Sequence, residues 1–198
     1  SYNSMNMWKR YYPNYSEKLS VIYNPVILPV ISSNYVLKKN SKLNLLIAAS
    51  YQYLKNPIGL VKALILMDEE MRNKIGVQWY GRKEVNEGDS RAYDEAMTLI
   101  KKNNLQKVIF LNDATKDIAN KMNSADIVGL FSELEGLPNA ICEAMMIGKP
   151  IIMSKVSDYE RLVDDSNGFL CDWNSPESIM NALEKAINLS EKELLCLG

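Results

Sequence analysis

The sequence predicts a doubly wound α/β domain, in which a parallel β-sheet is covered by helices on both faces. Three observations predict this class. From Leu43 onward, short apolar runs alternate with longer segments of helical period, and turn residues separate them. The alternation continues without a break to the last helix, as in successive βαβ units. Finally, capping residues and prolines mark where several of the helices begin.

The first half of the pattern gives these elements in order. LNLLIAAS (Leu43–Ser50) is a predicted buried strand, because its apolar run is nearly continuous. The next helix is expected to run to Met71, with Asn56 as its cap and Pro57 in its first position. The elements that follow are strand Val77–Gly81, a helix over 91–104, strand Lys107–Leu111, a helix over 115–125 and strand Asp126–Leu130.

The second half begins with FSELEGLPNAICEAMMIGKP, which predicts a helix from Pro138 through Met146 that Gly148 ends in a left-handed cap. A final helix begins at SPES, where Ser175 caps it. Between them lie strand Pro150–Ser154, a short helix near Tyr159–Val163 and strand Gly168–Cys171. At the other end of the chain, Ser20–Pro29 predicts one edge strand that leads into a loop.

Composition limits the organisation and the function of the chain. The 198 residues, 47% of them hydrophobic, predict a single domain over 1–198, with residues 1–19 as an irregular lead-in from a missing N-terminal domain. The 23 basic and 24 acidic residues nearly cancel, so we expect no nucleic-acid partner. The absence of histidine excludes Ser-His-Asp and Cys-His nucleophiles and imidazole zinc sites.

Cysteine usage and hydropathy predict the compartment. The three cysteines are widely spaced and form no CxxC pair, so a disulfide framework or a metal knuckle is not expected. No apolar run approaches the roughly 18 residues of a membrane span, and the first residues lack a signal-peptide segment. We therefore expect a cytoplasmic protein.

Ligands of an open parallel sheet gather beyond the carboxyl ends of its strands, so the loops after the strands are the candidate site. None of these loops contains GxGxxG or GxxxxGK[ST], which disfavours a dinucleotide enzyme and a P-loop NTPase. The loop FSELEGLPN is different, because Gly136 permits a close backbone approach or a positive φ. The free N–H groups of Leu137, Asn139 and Ala140 then open a helix N-terminus, which attracts phosphate.

Glu143 is the unusual residue of that helix, because apolar neighbours point in nearly every direction around it. Burying an unpaired carboxylate costs several kcal/mol, about the net stability of a domain. Glu143 is therefore expected either to pair with a Lys or Ser of a neighbouring element or to bind the vicinal hydroxyls of a ligand. Glu135 lies eight positions earlier at the same helix mouth, whereas Glu133 is expected to be solvated.

Two other conspicuous groups are interpreted as core. The aromatic pair Trp79 and Tyr80 ends a strand, and packing is favoured there over a stacking platform for a ligand. The adjacent Met145 and Met146 are likewise expected to be buried.

This loop and helix resemble the C-terminal domain of GT-B fold, retaining glycosyl transferases of group 1. The resemblance rests on the E-x7-E spacing of Glu135 and Glu143 within the pattern S-x-x-E-G-x-P-x-x-x-x-E-A-M-x-x-G-x-P. Matching positions are Ser132, Glu135, Gly136, Pro138, Glu143, Ala144, Met145, Gly148 and Pro150. NPV at Asn24–Val26 and ERLVDDSNGFL at Glu160–Leu170 are also similar, and the resemblance spans about Val21 to Leu183. It implies a Rossmann-like domain, the C-terminal half of a GT-B architecture.

The resemblance also implies roles at the matched positions. Glu135 and Lys55 would act at the reaction centre, Glu135 on the donor-sugar hydroxyls and Lys55 on the diphosphate. Glu143 would accept hydrogen bonds from the ribose hydroxyls. The other donor-binding residues would be Gly136, Leu137, Pro138 and Asn139 against sugar and phosphate, Ser50 near the phosphate, and Asn112 beside the base.

One departure from the family pattern concerns the phosphate. The family commonly has G-R-x-x-x-x-K-G after the first strand, but this chain has Ala49 and Ser50, so the Lys is kept and the Arg is lost. Without that charged hydrogen bond, phosphate binding would be weaker by about 1.5–3 kcal/mol. Arg82 or Lys155 could compensate or could be solvated surface charges, and Lys55 itself could be an exposed loop residue.

The resulting hypothesis is a hexosyltransferase-type glycosyltransferase domain that binds a UDP- or GDP-linked sugar, without a metal or other cofactor, for retaining transfer in polysaccharide or glycoconjugate synthesis. An N-terminal domain of the same protein would bind the acceptor and would be the route of any peripheral membrane association. The isolated chain is then expected to transfer little or no sugar. The alternative is a non-catalytic nucleotide- or sugar-binding module. A GT-B epimerase is disfavoured, because it would depend on histidines that the chain lacks.

Overall fold

The computed structural model describes residues 1–26, 42–84 and 88–198, and its centre is a parallel sheet. Within these residues six strands follow one another across the sheet in the order β3-β2-β1-β4-β5-β6, and every neighbouring pair is parallel. The strands are β1 (Leu43–Ala48), β2 (Ile75–Gly81), β3 (Ile109–Asp113), β4 (Ile127–Leu130), β5 (Ile151–Ser154) and β6 (Gly168–Cys171). This order confirms the predicted doubly wound, Rossmann-like class.

Eight α-helices and three short 3-10 helices precede, connect or follow the strands in the described part of the chain. The helices are α1 (Tyr2–Tyr11), α2 (Pro57–Leu66), α3 (Glu69–Asn73), α4 (Arg91–Lys102), α5 (Ile118–Ser124), α6 (Asn139–Met146), α7 (Pro176–Ile187) and α8 (Glu191–Leu197). The 3-10 segments are Pro13–Lys18, Tyr53–Lys55 and Tyr159–Arg161. The caps at Asn56 and Ser175 are confirmed, because each side chain accepts the N–H of the residue three positions later.

The two faces of the sheet carry separate hydrophobic clusters. One joins the sheet to α2, α4 and α7 and contains the fully buried Trp79 and Tyr51. The other joins it to α5 and α6 and includes Ile141 and Ala144, with Tyr80 packed against it. Trp79 and Tyr80 thus pack on opposite faces, which confirms that they belong to the core. Their alternation follows from the two-residue period of a strand.

The structure differs from the sequence-based prediction in three elements. The helix expected to reach Met71 stops at Leu66, because Met67 is extended and the Asp68 side chain accepts the Met71 N–H to start α3. The C-terminal α8 was not predicted, although Ser190 and Glu193 form a capping box there. The strand predicted for Ser20–Pro29 does not form in the described residues up to Val26, and its remainder lies outside them.

The lead-in over residues 1–19 is helical rather than irregular. Its helix α1 begins against the loop after β5, where the Asp158 carboxylate accepts the N–H groups of Tyr2 and Asn3 at 2.7 and 2.8 Å. The Arg161 guanidinium also lies 4.1 Å from the centre of the Tyr2 ring. These contacts join α1 to the sheet domain through polar and aromatic groups, since no residue of α1 is buried.

Candidate functional site

The candidate site lies where the strand order reverses, between β1 and β4. Connections leave these adjacent strands in opposite directions across the sheet, which opens a crevice beyond their carboxyl ends. Two loops line that crevice: residues 49–56 after β1 and residues 131–138 after β4. A backbone hydrogen bond of 2.9 Å from the Glu133 N–H to the Leu54 carbonyl joins the two loops. Six of the nine site residues predicted from the sequence lie on the β4 side, including the start of α6.

An ion pair bridges the crevice. Lys55 Nζ lies 2.6 Å from Glu135 Oε1, and the two side chains are only 21% and 11% exposed. The two residues are 80 positions apart in the sequence and meet because parallel strands β1 and β4 are neighbours. Lys55 is therefore not the exposed loop residue considered as the alternative.

Buried serine hydroxyls hold the Glu135 side of this pair. Ser132 Oγ donates to Glu135 Oε1 at 2.6 Å, and Ser154 Oγ, from the end of β5, donates to the Ser132 carbonyl at 2.6 Å. Both serines are fully buried. The sequence indicated Ser132 only as a motif position and did not indicate Ser154 as a site residue. The one sequence feature that could have suggested Ser154 is its position at the end of a predicted strand.

Gly136 is held through its carbonyl, which accepts a short hydrogen bond from Ser157 Oγ. Ser157 has a φ of 58°, a left-handed conformation that is uncommon for a serine. Gly136 itself does not have a positive φ, and a Cβ built on it would meet no atom within 4 Å. The fold therefore does not require glycine at this exposed position.

The N-terminus of α6 faces the same crevice and is open. Its N-cap position is Pro138, and no side chain of the described residues caps the helix. The Pro138 carbonyl accepts the N–H groups of Ile141 and Cys142, further along the helix. The first-turn N–H groups are thus arranged as they are at anion-binding helix ends, and Gly148 ends the helix with the predicted positive φ of 65°.

Glu143 lies one turn into α6 and is half-buried. Burial raises the pKa of its carboxyl, because desolvation disfavours the charged form. In the described part of the chain it has neither an ion pair nor a hydrogen bond, so the pairing with a Lys or Ser considered from the sequence does not form there. The carboxylate is left for water or a ligand.

The predicted enclosure of α6 was wrong. Ile141 and Ala144 are buried against the sheet, but Met145 and Met146 are 37% and 58% exposed. An apolar sequence around the whole helix indicated burial on all sides. The described residues cover only one side of α6, so the two methionines are not core residues here.

The remaining predicted residues, Ser50 and Asn112, make no hydrogen bond to Lys55 or Glu135. Ser50 follows β1 and is half-buried, and its side chain makes no hydrogen bond to the described residues. Asn112 is at the end of β3, two strands away from β1, and its side chain donates to Gln78 Oε1 at 3.0 Å. Of the two cations considered as substitutes for the lost Arg, Lys155 pairs with Asp172 at 3.2 Å, whereas Arg82 is exposed.

The described residues contain neither a candidate metal-binding cluster nor a candidate membrane-spanning helix. No group of three or more His, Cys, Asp or Glu side chains is arranged to hold a metal ion. No helix has the length and apolar character needed to cross a membrane.

Comparison with known families and curated proteins gives a consistent result. Residues 31–195 match the family model described as glycosyl transferases group 1. Over 95 residues the chain is 36% identical to the Escherichia coli UDP-Gal:alpha-D-GlcNAc-diphosphoundecaprenol alpha-1,3-galactosyltransferase, covering 45% of this chain and 24% of the relative. Over 109 residues it is 30% identical to the Salmonella typhi Vi polysaccharide biosynthesis protein VipC/TviE, covering 53% and 18%. The chain thus matches about a quarter or less of the length of these relatives.

Solved structures share the fold at low sequence identity. Anabaena Alr3699/HepE in complex with UDP and glucose superposes with a TM-score of 0.70 at 20% identity, covering 79% of this chain and 41% of that one. The lipopolysaccharide outer core galactosyltransferase WaaB gives 0.67 at 17% identity, covering 87% and 47%. At these identities the likeness establishes the fold of the domain.

Proposed function

Because the chain belongs to the glycosyl transferases group 1 family, we propose that it is the C-terminal, donor-binding domain of a GT-B glycosyltransferase. That enzyme transfers a hexose from a nucleoside-diphosphate sugar to an acceptor, with retention of the anomeric configuration. The acceptor is bound by an N-terminal domain of the same protein, and the isolated chain transfers little or no sugar. Relatives named for galactosyl transfer and for polysaccharide biosynthesis support a role in polysaccharide or glycoconjugate synthesis.

The observation that carries this proposal is the Lys55–Glu135 ion pair beside the uncapped start of α6. Cations and N–H donors bind a diphosphate, and a carboxylate can accept hydrogen bonds from the hydroxyls of a sugar. The crevice offers these groups side by side at the switch point. Lys55 and the α6 amides bind the diphosphate, and Glu135 binds the donor sugar.

Glu143 completes the site as the acceptor for the ribose hydroxyls. Its carboxylate is half-buried and has no partner in the described residues. Two hydroxyl donors from a ribose would stabilise the ionised form that burial disfavours. A nucleotide would supply such a ribose, and the UDP named in the comparisons favours a UDP-linked over a GDP-linked donor.

In the proposed reaction the nucleoside diphosphate leaves the anomeric carbon of the donor sugar, and this domain assists that step. In this proposal Lys55 and the uncapped N–H groups of α6 would stabilise the negative charge that develops on the leaving oxygens, and such stabilisation lowers the barrier. No side chain of this domain is assigned as a strong base, and no metal is assigned to the reaction.

The test is calorimetric titration of the folded chain with UDP-, GDP- and ADP-linked sugars. We expect binding to at least one of them, and weaker binding, by about fivefold, in Glu143→Gln, which keeps only one acceptor oxygen. The second candidate function, a non-catalytic module of the same fold, is favoured by one observation, the uncharged Ser50 at the Arg position. A folded chain that binds none of these donors would contradict the proposal and indicate a degenerate relative.

Glu143→Gln is also expected to raise the stability of the ligand-free protein at pH 7. A carboxyl with a raised folded-state pKa stabilises the fold below its unfolded pKa of about 4.3, and this contribution is lost as the pH rises through the folded value. The ionised carboxylate therefore destabilises the fold at neutral pH, and the amide does not. Thermal unfolding at pH 7 and pH 4 measures the difference, which should shrink at the lower pH.

Glu133→Gln is the matched control, because Glu133 is exposed in the preceding loop. It should leave the unfolding temperature unchanged at both pH values. A Glu143→Gln variant that is less stable than the original at pH 7 would show that Glu143 makes a stabilising contact.

A further inference from the structure

Two buried serine hydroxyls lie at the strand ends beneath the candidate site, and a chain of hydrogen bonds connects them to Glu135. Ser132 follows β4 and Ser154 ends β5, and neither side chain is exposed. Burying a hydroxyl is favourable only when it is hydrogen-bonded, and each of these is. The two serines join the neighbouring strands β4 and β5 just below the crevice.

The polar contacts of the Glu135 carboxylate involve only one of its two oxygens. Lys55 Nζ and Ser132 Oγ both contact Oε1, each at 2.6 Å. Oε2 makes no hydrogen bond or ion pair with the described residues. One oxygen is thus used for holding the side chain, and the other is available.

The two contacts on Oε1 are not equivalent once a diphosphate is bound. Lys55 is the cation that the phosphate would attract, which would weaken or break its pair with Glu135. Ser132 is fully buried and stays, so its hydroxyl alone would then keep the carboxylate oriented. Ser154 fixes the Ser132 peptide through its carbonyl, and both serine side chains are fully buried.

We propose that Ser132 and Ser154 are positioning residues that present Oε2 of Glu135 to a hydroxyl of the donor sugar. This inference rests on the proposed function. The two serines then contribute to binding of the sugar part of the donor and not to binding of its nucleotide part. The orientation of Glu135 then survives the loss of its lysine partner.

The variants Ser132→Ala and Ser154→Ala separate this role from a general structural one. Ser132→Ala removes the hydroxyl on Glu135 and keeps the Ser154 bond, which uses a main-chain carbonyl. We expect its affinity for the UDP-sugar that the original chain binds to fall about fivefold, with its affinity for UDP unchanged within about twofold. Ser154→Ala should show the same selectivity with a smaller loss. Both are measured by calorimetry on the full chain, after thermal unfolding shows that the variants fold.

Ser124→Ala is the matched control, because its exposed hydroxyl donates only to carbonyls within α5. Equal losses for UDP and for the UDP-sugar in both serine variants, or no loss for either ligand, would overturn the positioning role alone. A failure of both variants to fold would also overturn it, by showing that the serines are structural. If the original chain bound neither UDP nor any UDP- or GDP-sugar, the proposed function itself would fail, and the positioning role with it.

Discussion

Replacing Lys55 by glutamine is expected to weaken UDP binding by about 10- to 100-fold. A hydrogen bond to a charged group contributes about 1.5–3 kcal/mol, and the Lys55 ammonium is mostly shielded from solvent at the crevice. The uncharged Ser50 makes the loss larger in practice, since the loop after β1 then offers no cation to the phosphate. Calorimetric titration with UDP measures the effect.

Two variants control this result. Lys74→Gln removes a lysine from an ion pair of the same 2.6 Å length, between Lys74 and Glu70, but that pair is exposed and precedes β2. It should leave UDP affinity unchanged. Glu135→Gln removes the competing carboxylate and frees Lys55, so UDP affinity should stay equal or rise. Unchanged UDP affinity in Lys55→Gln would contradict the assignment of the phosphate to this crevice.

Gly81→Ala is expected to cost about 3 kcal/mol or more in the free energy of unfolding. A Cβ on this residue would lie 1.9 Å from the Ala49 carbonyl oxygen and 2.7 Å from its carbonyl carbon, so backbone must move. Overpacking of a well-packed interior typically costs about 1–3 kcal/mol, and backbone is harder to displace than a side chain. The displaced segment is the one that leads from β1 into Ser50. Urea denaturation of the ligand-free protein measures the loss.

The same strand provides the control for Gly81. A Cβ at Gly76, also in β2, would meet only the Asn44 side-chain oxygen, at an ordinary 3.7 Å. Gly76→Ala should therefore unfold at nearly the same urea concentration as the original chain. Equal urea midpoints for Gly81→Ala and Gly76→Ala would contradict this prediction. They would show that the backbone after β1 can move at little cost in the free energy of unfolding.

The sheet could be predicted from the sequence because its signals are local. Every strand from Leu43 onward is a short apolar run, and capping residues such as Asn56 and Ser175 act within one turn of their helices. The Asp68 cap that ends α2 early is local too, but it competes with a helical pattern that continues past it. Met145 and Met146 were assigned to the core because periodicity cannot show that only one side of α6 is covered.

The residues of the candidate site could be proposed from the sequence, but their spatial arrangement could not. The motif around Glu135 and Glu143 gave the β4 side, and Lys55 was found separately at the end of β1. Their pairing depends on the strand order, which places residues 80 positions apart side by side. Ser154 could not be assigned to Glu135 for the same reason, since its contact crosses from β5 to β4.

The most direct test of the donor-site proposal is a crystal structure of the chain with UDP bound. We expect the diphosphate against the first turn of α6, Lys55 Nζ turned from Glu135 to a phosphate oxygen, and the ribose hydroxyls on Glu143. UDP bound elsewhere would contradict the proposal, for example in the cavity of about 220 Å³ lined by Asn44, Gln78 and Lys121. A bound diphosphate that leaves the Lys55–Glu135 pair intact and untouched would contradict it equally.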